Sequence, residues 1–306
     1  MNSQIFPLPN RGELDIGGPT REPSQPIGVM LVEAGRLTQQ DADRILDYQN
    51  RAQLPFGEAG IALGLLEEED VQHALAMQFG HAALSPDAGL SGELVAATQP
   101  DSEAVEHLRA LRSQLMLRWF ENDDRQAALA VVSPGPGEGR SYIAANLAIL
   151  FSQLGKRTLL IDADLRRPRQ HQIFGLPGRT GLSAVLAGRA GWEALTEIKA
   201  IPGLWLLPAG AKPPNPQELL ARPGFAKLIS ALRSSYEVIL IDTPAAAHCA
   251  DAGTIAARAG AALLLACRDK SSVPGLTTLS NNLRQFGVTI VGAVLNGAPR
   301  HDVGRD

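Results

Sequence analysis

The apolar positions of this chain change period partway along, and the change divides it. In the first eighty or so residues they recur at helical spacing: Ile45, Leu46 and Tyr48 supply one apolar face, and Val71, Ala74 and Leu75 another. From residue 127 short continuous apolar runs take over: "AALAVVSP" (127–134), "RTLLIDADLRRP" (157–168), "EVILIDTP" (237–244), "AALLLACR" (261–268) and "TIVGAVLNG" (289–297). Between the first two lies "SYIAANLAILFSQLG" (141–155), apolar at helical spacing and closed by a glycine. Continuous strands alternating with helices predict an α/β domain, a mostly parallel sheet with helices on both faces, preceded by a small all-α domain.

The helical part repeats itself. "IGVMLVEAGRLTQQDADRILDYQ" (27–49) aligns with "FGEAGIALGLLEEEDVQHALAMQ" (56–78) at a constant offset, matching Gly28 with Gly57, Gly35 with Gly64, Leu37 with Leu66, Leu46 with Leu75 and Gln49 with Gln78. Each unit reads as a short helix, a glycine turn and an amphipathic helix. Thr38 followed by Asp41 marks the start of the second helix, as a capping box with Asp in place of Glu.

Composition limits the function classes. Hydrophobic residues make up 45% and charged residues 20%, so the chain is globular rather than disordered. A net charge of −4 argues against nucleic acid as a partner, because phosphate contacts need a basic face. The longest apolar run, 259–267, is too short to span a bilayer, and residues 1–26 lack the apolar stretch of a signal peptide. A cytoplasmic location is expected, with any membrane role exerted through a partner.

The chemistry is concentrated in "SPGPGEGRSY", 133–142. It sits between a buried strand and an amphipathic helix, the context of a phosphate-binding loop of the form G-x-x-x-x-G-K-[ST]. Gly139 and Ser141 are in place, Pro134 stands where the first glycine is expected, and Arg140 where the lysine is expected. Gly135, Gly137 and Gly139 let backbone N–H groups face a phosphate, the helix N-terminus adds its positive end, and the Ser141 hydroxyl can reach a magnesium ion. Arg140 keeps the positive charge and offers phosphate oxygens a fork. Two strands end in acids: Asp242 closes "VILID", and Asp162 and Asp164 close "LLIDAD", where they share a side if the strand continues that far. Acids at two strand ends beside a glycine-rich loop point to a metal or base site.

The set of motifs, a PGEG[KR]S loop, an hhhDxDxRxP strand and an IDTP strand, resembles the bacterial tyrosine kinases of exopolysaccharide synthesis, in the EpsG-like chain-length branch of the MinD-like P-loop class. The resemblance covers about 103–298 and includes "GLSAVLAGR" (181–189) and "LPAGAKPPNPQELL" (207–220). It implies ATP and Mg²⁺ as cofactors and a membrane-bound chain-length determinant protein as partner. It also implies a cytoplasmic protein peripheral at the inner membrane, exopolysaccharide polymerisation and export as the regulated process, and a homo-oligomer. The same resemblance assigns the site residues: Gly135, Gly137, Glu138, Gly139, Arg140, Ser141 and Tyr142 around the phosphates, Asn296 near the base, and Asp162, Asp164, Asp242 and Ser141 at the metal. Asp162, Asp164 and Arg140 take part in catalysis. Glu106, Arg109 and Arg112, in "EHLRALR", match an E-x-x-R-x-x-R subunit-contact motif and lie on one face of a helix.

Two departures keep other readings open. In such kinases the acceptor is a tyrosine-rich tail, whereas "NGAPRHDVGRD" has no tyrosine and the chain has three, Tyr48, Tyr142 and Tyr236. With Arg140, this favours a non-catalytic ATP-binding assembly switch as the alternative. A MinD- or ParA-type positioning ATPase is the second alternative, but it would carry a lysine where Gly135 stands. The helical repeat resembles the N-terminal domain of type II secretion ATPases. Some of those bind cyclic di-GMP through tandem motifs opening Arg-Leu-Gly. The openings here, Pro26-Ile27-Gly28 and Pro55-Phe56-Gly57, lack both arginines, so protein docking is preferred to cyclic di-GMP. The expected layout is a disordered tail (1–20), a helical tandem-repeat domain (21–83), a linker (84–102), the nucleotide-binding kinase-like domain (103–298) and a short tail (299–306).

Overall fold

The computed structural model describes residues 26–33, 35–68, 70–71, 89–121 and 127–297. They fall into two compact units, one within residues 19–84 and the other from residue 85 onward.

In the first unit, helices α1 (Ile27–Glu33), α2 (Gln39–Ala52) and α3 (Phe56–Ala62) enclose a small core of Leu31, Leu37, Ile45, Ala59 and Leu66. The capping expectation holds: the Asp41 N–H donates to Thr38 Oγ1 at 3.2 Å, and the Thr38 hydroxyl donates to the Asp41 carboxylate at 2.6 Å. The repeated glycines have a packing reason. A Cβ on Gly28 would come within 2.9 Å of the Phe56 ring, and one on Gly57 within 2.6 Å of Val71. Each repeat therefore needs a helix face with no side chain at that position. The matches at Leu75 and Gln78 lie outside the described residues.

The second unit holds a seven-stranded sheet in the order β3-β4-β2-β5-β1-β6-β7, with β1 (Ala128–Val132), β2 (Thr158–Asp162), β3 (Thr196–Glu197), β4 (Leu204–Leu207), β5 (Val238–Asp242), β6 (Ala261–Cys267) and β7 (Thr289–Asn296). All neighbours pair in parallel except β3 with β4. Strands β1, β2 and β5 are buried at every position, as their unbroken apolar runs require. On one face Ala128, Ala130 and Val132 pack with Phe225, Ile255 and Ala256.

Three sequence expectations change. The run 157–168 is a strand only to Asp162, because the chain then turns back, so Asp162 and Asp164 are not strand neighbours on one face. Strands β3 and β4 had no counterpart in the apolar pattern. Residues 89–102, expected as linker, are ordered against the sheet unit. There the short helix α4 (Val95–Thr98) precedes α5 (Glu103–Leu115), and Leu94, Ala96 and Ala97 are buried. One tie is Asn146, which lies in α6 (Arg140–Gln153). Its Oδ1 accepts the Ala96 N–H at 2.9 Å and its Nδ2 donates to the Glu93 carbonyl at 2.9 Å. No helix among the described residues is long and apolar enough to cross a membrane.

Candidate nucleotide-binding site

Parallel strands β1, β2, β5, β6 and β7 bring their C-terminal ends to one edge, where ligands of open α/β sheets bind. At that edge the chain leaves β1, forms the loop Ser133–Gly139 and enters α6. Gly137 and Gly139 have φ of 69° and 99°, in the left-handed region that side chains disfavour. A Cβ on Gly139 would also meet Asn296 Nδ2 at 2.2 Å.

The loop is held by its own side chains and by the neighbouring strand ends. The buried Glu138 carboxylate accepts the Gly135 N–H at 2.7 Å and the Ser271 hydroxyl. Asn296 Nδ2 donates to the Glu138 carbonyl at 3.1 Å, and Lys270 Nζ to the Gly137 carbonyl at 3.2 Å. Asn296 was expected from the sequence; Lys270 and Ser271 were not. Their one signal was position, just past the C-terminal end of β6.

Arg140 departs from its expected role. It is only 9% exposed; Nε donates to the Thr243 carbonyl at 2.8 Å, and Nη1 to the Gly135 carbonyl at 2.6 Å and the Ser133 hydroxyl. Both N–H groups of Nη1 and that of Nε are thus engaged by the chain. The guanidinium cannot present a free fork, and Nη2 alone is left for an anion.

The acids separate. Asp162 and Asp242 are register partners on β2 and β5, and both are fully buried. Asp162 accepts the Asp164 N–H at 3.2 Å on one oxygen and the Arg169 and Gln170 N–H groups at 3.1 and 3.0 Å on the other. Asp164 takes the Arg166 and Arg167 N–H groups on Oδ1, at 3.1 and 2.9 Å. Asp242 Oδ2 accepts from the Gln170 side-chain amide at 2.8 Å, while its Oδ1 is buried without a partner. Burial pushes the Asp162 carboxyl well above the ordinary range, and Asp242 beside it adds to the rise. Burial raises Asp242 as well, opposed by the Ser141 hydroxyl and the Gln170 amide. Gln170 had no sequence signal: it becomes a site residue only because the chain turns back after Asp162.

Among the described residues no three His, Cys, Asp or Glu side chains could hold a metal ion by themselves. A magnesium ion needs no such cage, since it keeps waters and takes phosphate oxygens. The Oδ1 of Asp242, a buried acceptor with no hydrogen bond of ordinary length, fits that ion together with the nearby Ser141 hydroxyl. The glycine loop fits the phosphates. Asp162 is the poorer ligand, because both its oxygens are committed to amides.

The expected subunit-contact charges are partly internal. Arg109 pairs with Glu106 as expected of i, i+3 neighbours. Arg112 instead turns onto α6, where Nη1 donates to the Leu150 carbonyl at 3.3 Å. A cation there suits the C-terminal end of α6.

The fold and sequence are similar to those of known proteins. A family model described as cellulose biosynthesis protein BcsQ matches residues 127–280. The putative tyrosine-protein kinase EpsB of Ralstonia solanacearum is 38% identical over 204 residues, 66% of this chain. The aligned part spans only 27% of EpsB. The putative tyrosine-protein kinase CapB of Staphylococcus aureus is 33% identical over 201 residues, which cover 66% of this chain and 87% of CapB. Among solved structures, the kinase domain of the Escherichia coli tyrosine kinase ETK superposes with a TM-score of 0.64 at 29% identity, covering 69% of this chain and 84% of that domain. The septum site-determining protein MinD of Pyrococcus horikoshii, solved with Mg-ADP, gives 0.50 at 26% identity over 57% of this chain and 72% of its own. The sheet is therefore that of a P-loop nucleotide-binding protein, and the chain belongs to the family of bacterial tyrosine-protein kinases.

Proposed function

We propose that this chain is an ATP-dependent protein tyrosine kinase that regulates exopolysaccharide polymerisation and export at the inner membrane, through a membrane-bound chain-length partner. The observation that carries the reading is the unpartnered, buried Oδ1 of Asp242, an acid that interacts with Ser141 in the first turn of the helix that follows the glycine loop. Bound Mg-ATP would supply the transferable phosphoryl group and charge neutralisation. Gly137, Glu138, Gly139, Arg140, Ser141 and Tyr142 would hold the phosphates through their amides, with Gly135 shaping the start of the loop. Arg140 adds one fixed cation through Nη2. Ser141 and Asp242 would hold the metal. Asp164, with Oδ2 outside its own turn, would accept the proton of the attacking phenol. Asp162 keeps the 162–170 loop in place, and Asn296 backs the loop on the base side.

Arg140 also favours a second reading, an ATP-binding switch that assembles without transferring phosphate. Three hydrogen bonds fix its guanidinium to the chain, so it cannot follow a departing phosphoryl group as a free lysine would. Incubation with γ-labelled ATP separates the readings. Label on tyrosine supports the kinase. Binding with no transfer supports the switch, and free phosphate alone supports a positioning ATPase.

A further inference from the structure

A tyrosine kinase needs a phenol to act on, and the three tyrosines of this chain are not equally available. Tyr236 is 4% exposed, two residues before β5. Tyr142 is half-buried in the first turn of α6, beside the phosphate loop itself. Tyr48 is exposed, at 36%, on the last turns of α2 in the helical unit. Two arginines neighbour it on a helix that also carries three aspartates. Arg44 lies at i−4 and Arg51 at i+3, the positions that neighbour Tyr48 on a helix surface, and both are exposed. Among the described residues Arg44 contacts Asp41 at 3.2 Å, an exposed pair that is weak enough to exchange for a stronger anion.

The internal repeat supplies a control. At the offset that matches Gly28 with Gly57, Tyr48 corresponds to Met77, Arg44 to His73 and Arg51 to Gly80. The second copy thus keeps an apolar side chain at this position and drops the phenol with both arginines. The phenol and its two cations occur together in one copy and are absent together from the other.

We infer that Tyr48 is a phosphoacceptor of this kinase, and that Arg44 and Arg51 receive the phosphate it gains. The inference rests on the kinase reading above. In the transfer, Tyr48 Oη forms a bond to the γ-phosphorus of ATP, the bond from that phosphorus to the β–γ bridging oxygen breaks, ADP leaves, and the phenolic proton passes to a carboxylate and then to solvent. The product is a phosphomonoester carrying nearly two negative charges, set between two guanidinium groups that can bind it with charge-assisted hydrogen bonds. Phosphorylation would add nearly two negative charges to α2, which already carries Asp41, Asp43 and Asp47 against Arg44 and Arg51, and so alter the charge that the helical unit offers a docking partner.

The test is phosphopeptide mapping by mass spectrometry on the full chain, both as isolated from the cells that make it and after incubation with Mg-ATP. The expected result is a phosphoryl group on the peptide containing Tyr48. Tyr48→Phe should lose most of the phosphotyrosine in the chain while binding ATP as before, and Arg44→Gln with Arg51→Gln should lower labelling of Tyr48. Phosphotyrosine confined to Tyr142, to Tyr236 or to a different protein, with Tyr48 unmodified, overturns the acceptor assignment and leaves the kinase reading standing. Absence of ATP turnover and of phosphotyrosine in both preparations overturns the two together.

Discussion

The loops after β2 and β5 open alike and then part. Each begins with a buried carboxylate, and the two are paired across adjacent parallel strands. After Asp162 the chain turns back, and the amides of Asp164, Arg169 and Gln170 close on both oxygens. After Asp242 it leaves through Thr243 and Pro244; a proline has no N–H to give, and Oδ1 stays without a partner. The same apolar run ending in Asp thus yields a carboxylate that builds a loop and one that is open to a ligand. The path of the chain beyond the acid decides between them, since the strand and the acid are the same in both.

The sharpest way to break this comparison is to neutralise the open acid. Asp242→Asn should leave the fold intact and lower Mg-dependent turnover on the order of a thousandfold, since a catalytic metal supplies several kcal/mol of charge stabilisation; steady-state phosphoryl transfer measures it. Next comes the loop-building acid. Asp162→Ala leaves three amides without their acceptor and should lower unfolding stability by at least about 3 kcal/mol, at roughly 1–3 kcal/mol per stranded buried group. A urea titration reads that loss, and an unchanged midpoint would make Asp162 a ligand after all. Arg140 reaches into the β5 loop through Thr243, so Arg140→Ala should weaken ATP binding by about 1.5–3 kcal/mol, the size of a hydrogen bond to a charged group. Calorimetry with a non-hydrolysable ATP analogue tests it.

The smallest effect is on pH. Both acids titrate above the ordinary carboxylate range, chiefly because they are buried. A divalent ion needs the ionised form, so within the window between the ordinary and the raised values binding must expel a proton. Magnesium–nucleotide affinity should therefore fall as pH drops through that window, by up to about tenfold per unit. Stability of the ligand-free chain has the opposite sign. The folded state binds more protons than the unfolded one there, so the contribution of the pair is largest at low pH and is lost as pH rises. Asp242→Asn should flatten the affinity profile.

Much of this was legible in the sequence, for reasons that can be named. β1, β2 and β5 are buried on both faces, so their runs are unbroken and read directly. β4 is four residues of "LWLL", too short for a period, and β3 is a two-residue antiparallel edge with no pattern. Glycines at 137 and 139 announced the loop because their backbone conformation admits little else. Gln170, Lys270 and Ser271 could not be found by spacing; they meet the site through turns whose geometry no local pattern encodes. Arg140 and Arg112 were placed along the chain by the sequence, but their hydrogen bonds to backbone carbonyls were not legible in it. A long cationic side chain can fold back onto carbonyls of its own chain, and residue type does not say which way it goes.

The segment before α5 bears on how the nucleotide unit can be handled as material. A boundary drawn at Glu103, where the helical motif starts, would cut away Leu94, Ala96 and Ala97, all buried. It would strand the Oδ1 of Asn146 and remove one of the two acceptors of its Nδ2 inside α6, the helix whose first turn follows the glycine loop. A fragment begun there would carry a bare apolar seam and a loosened loop, and would aggregate or bind nucleotide poorly for reasons unrelated to its chemistry. Begun at residue 89, it would keep its own cover.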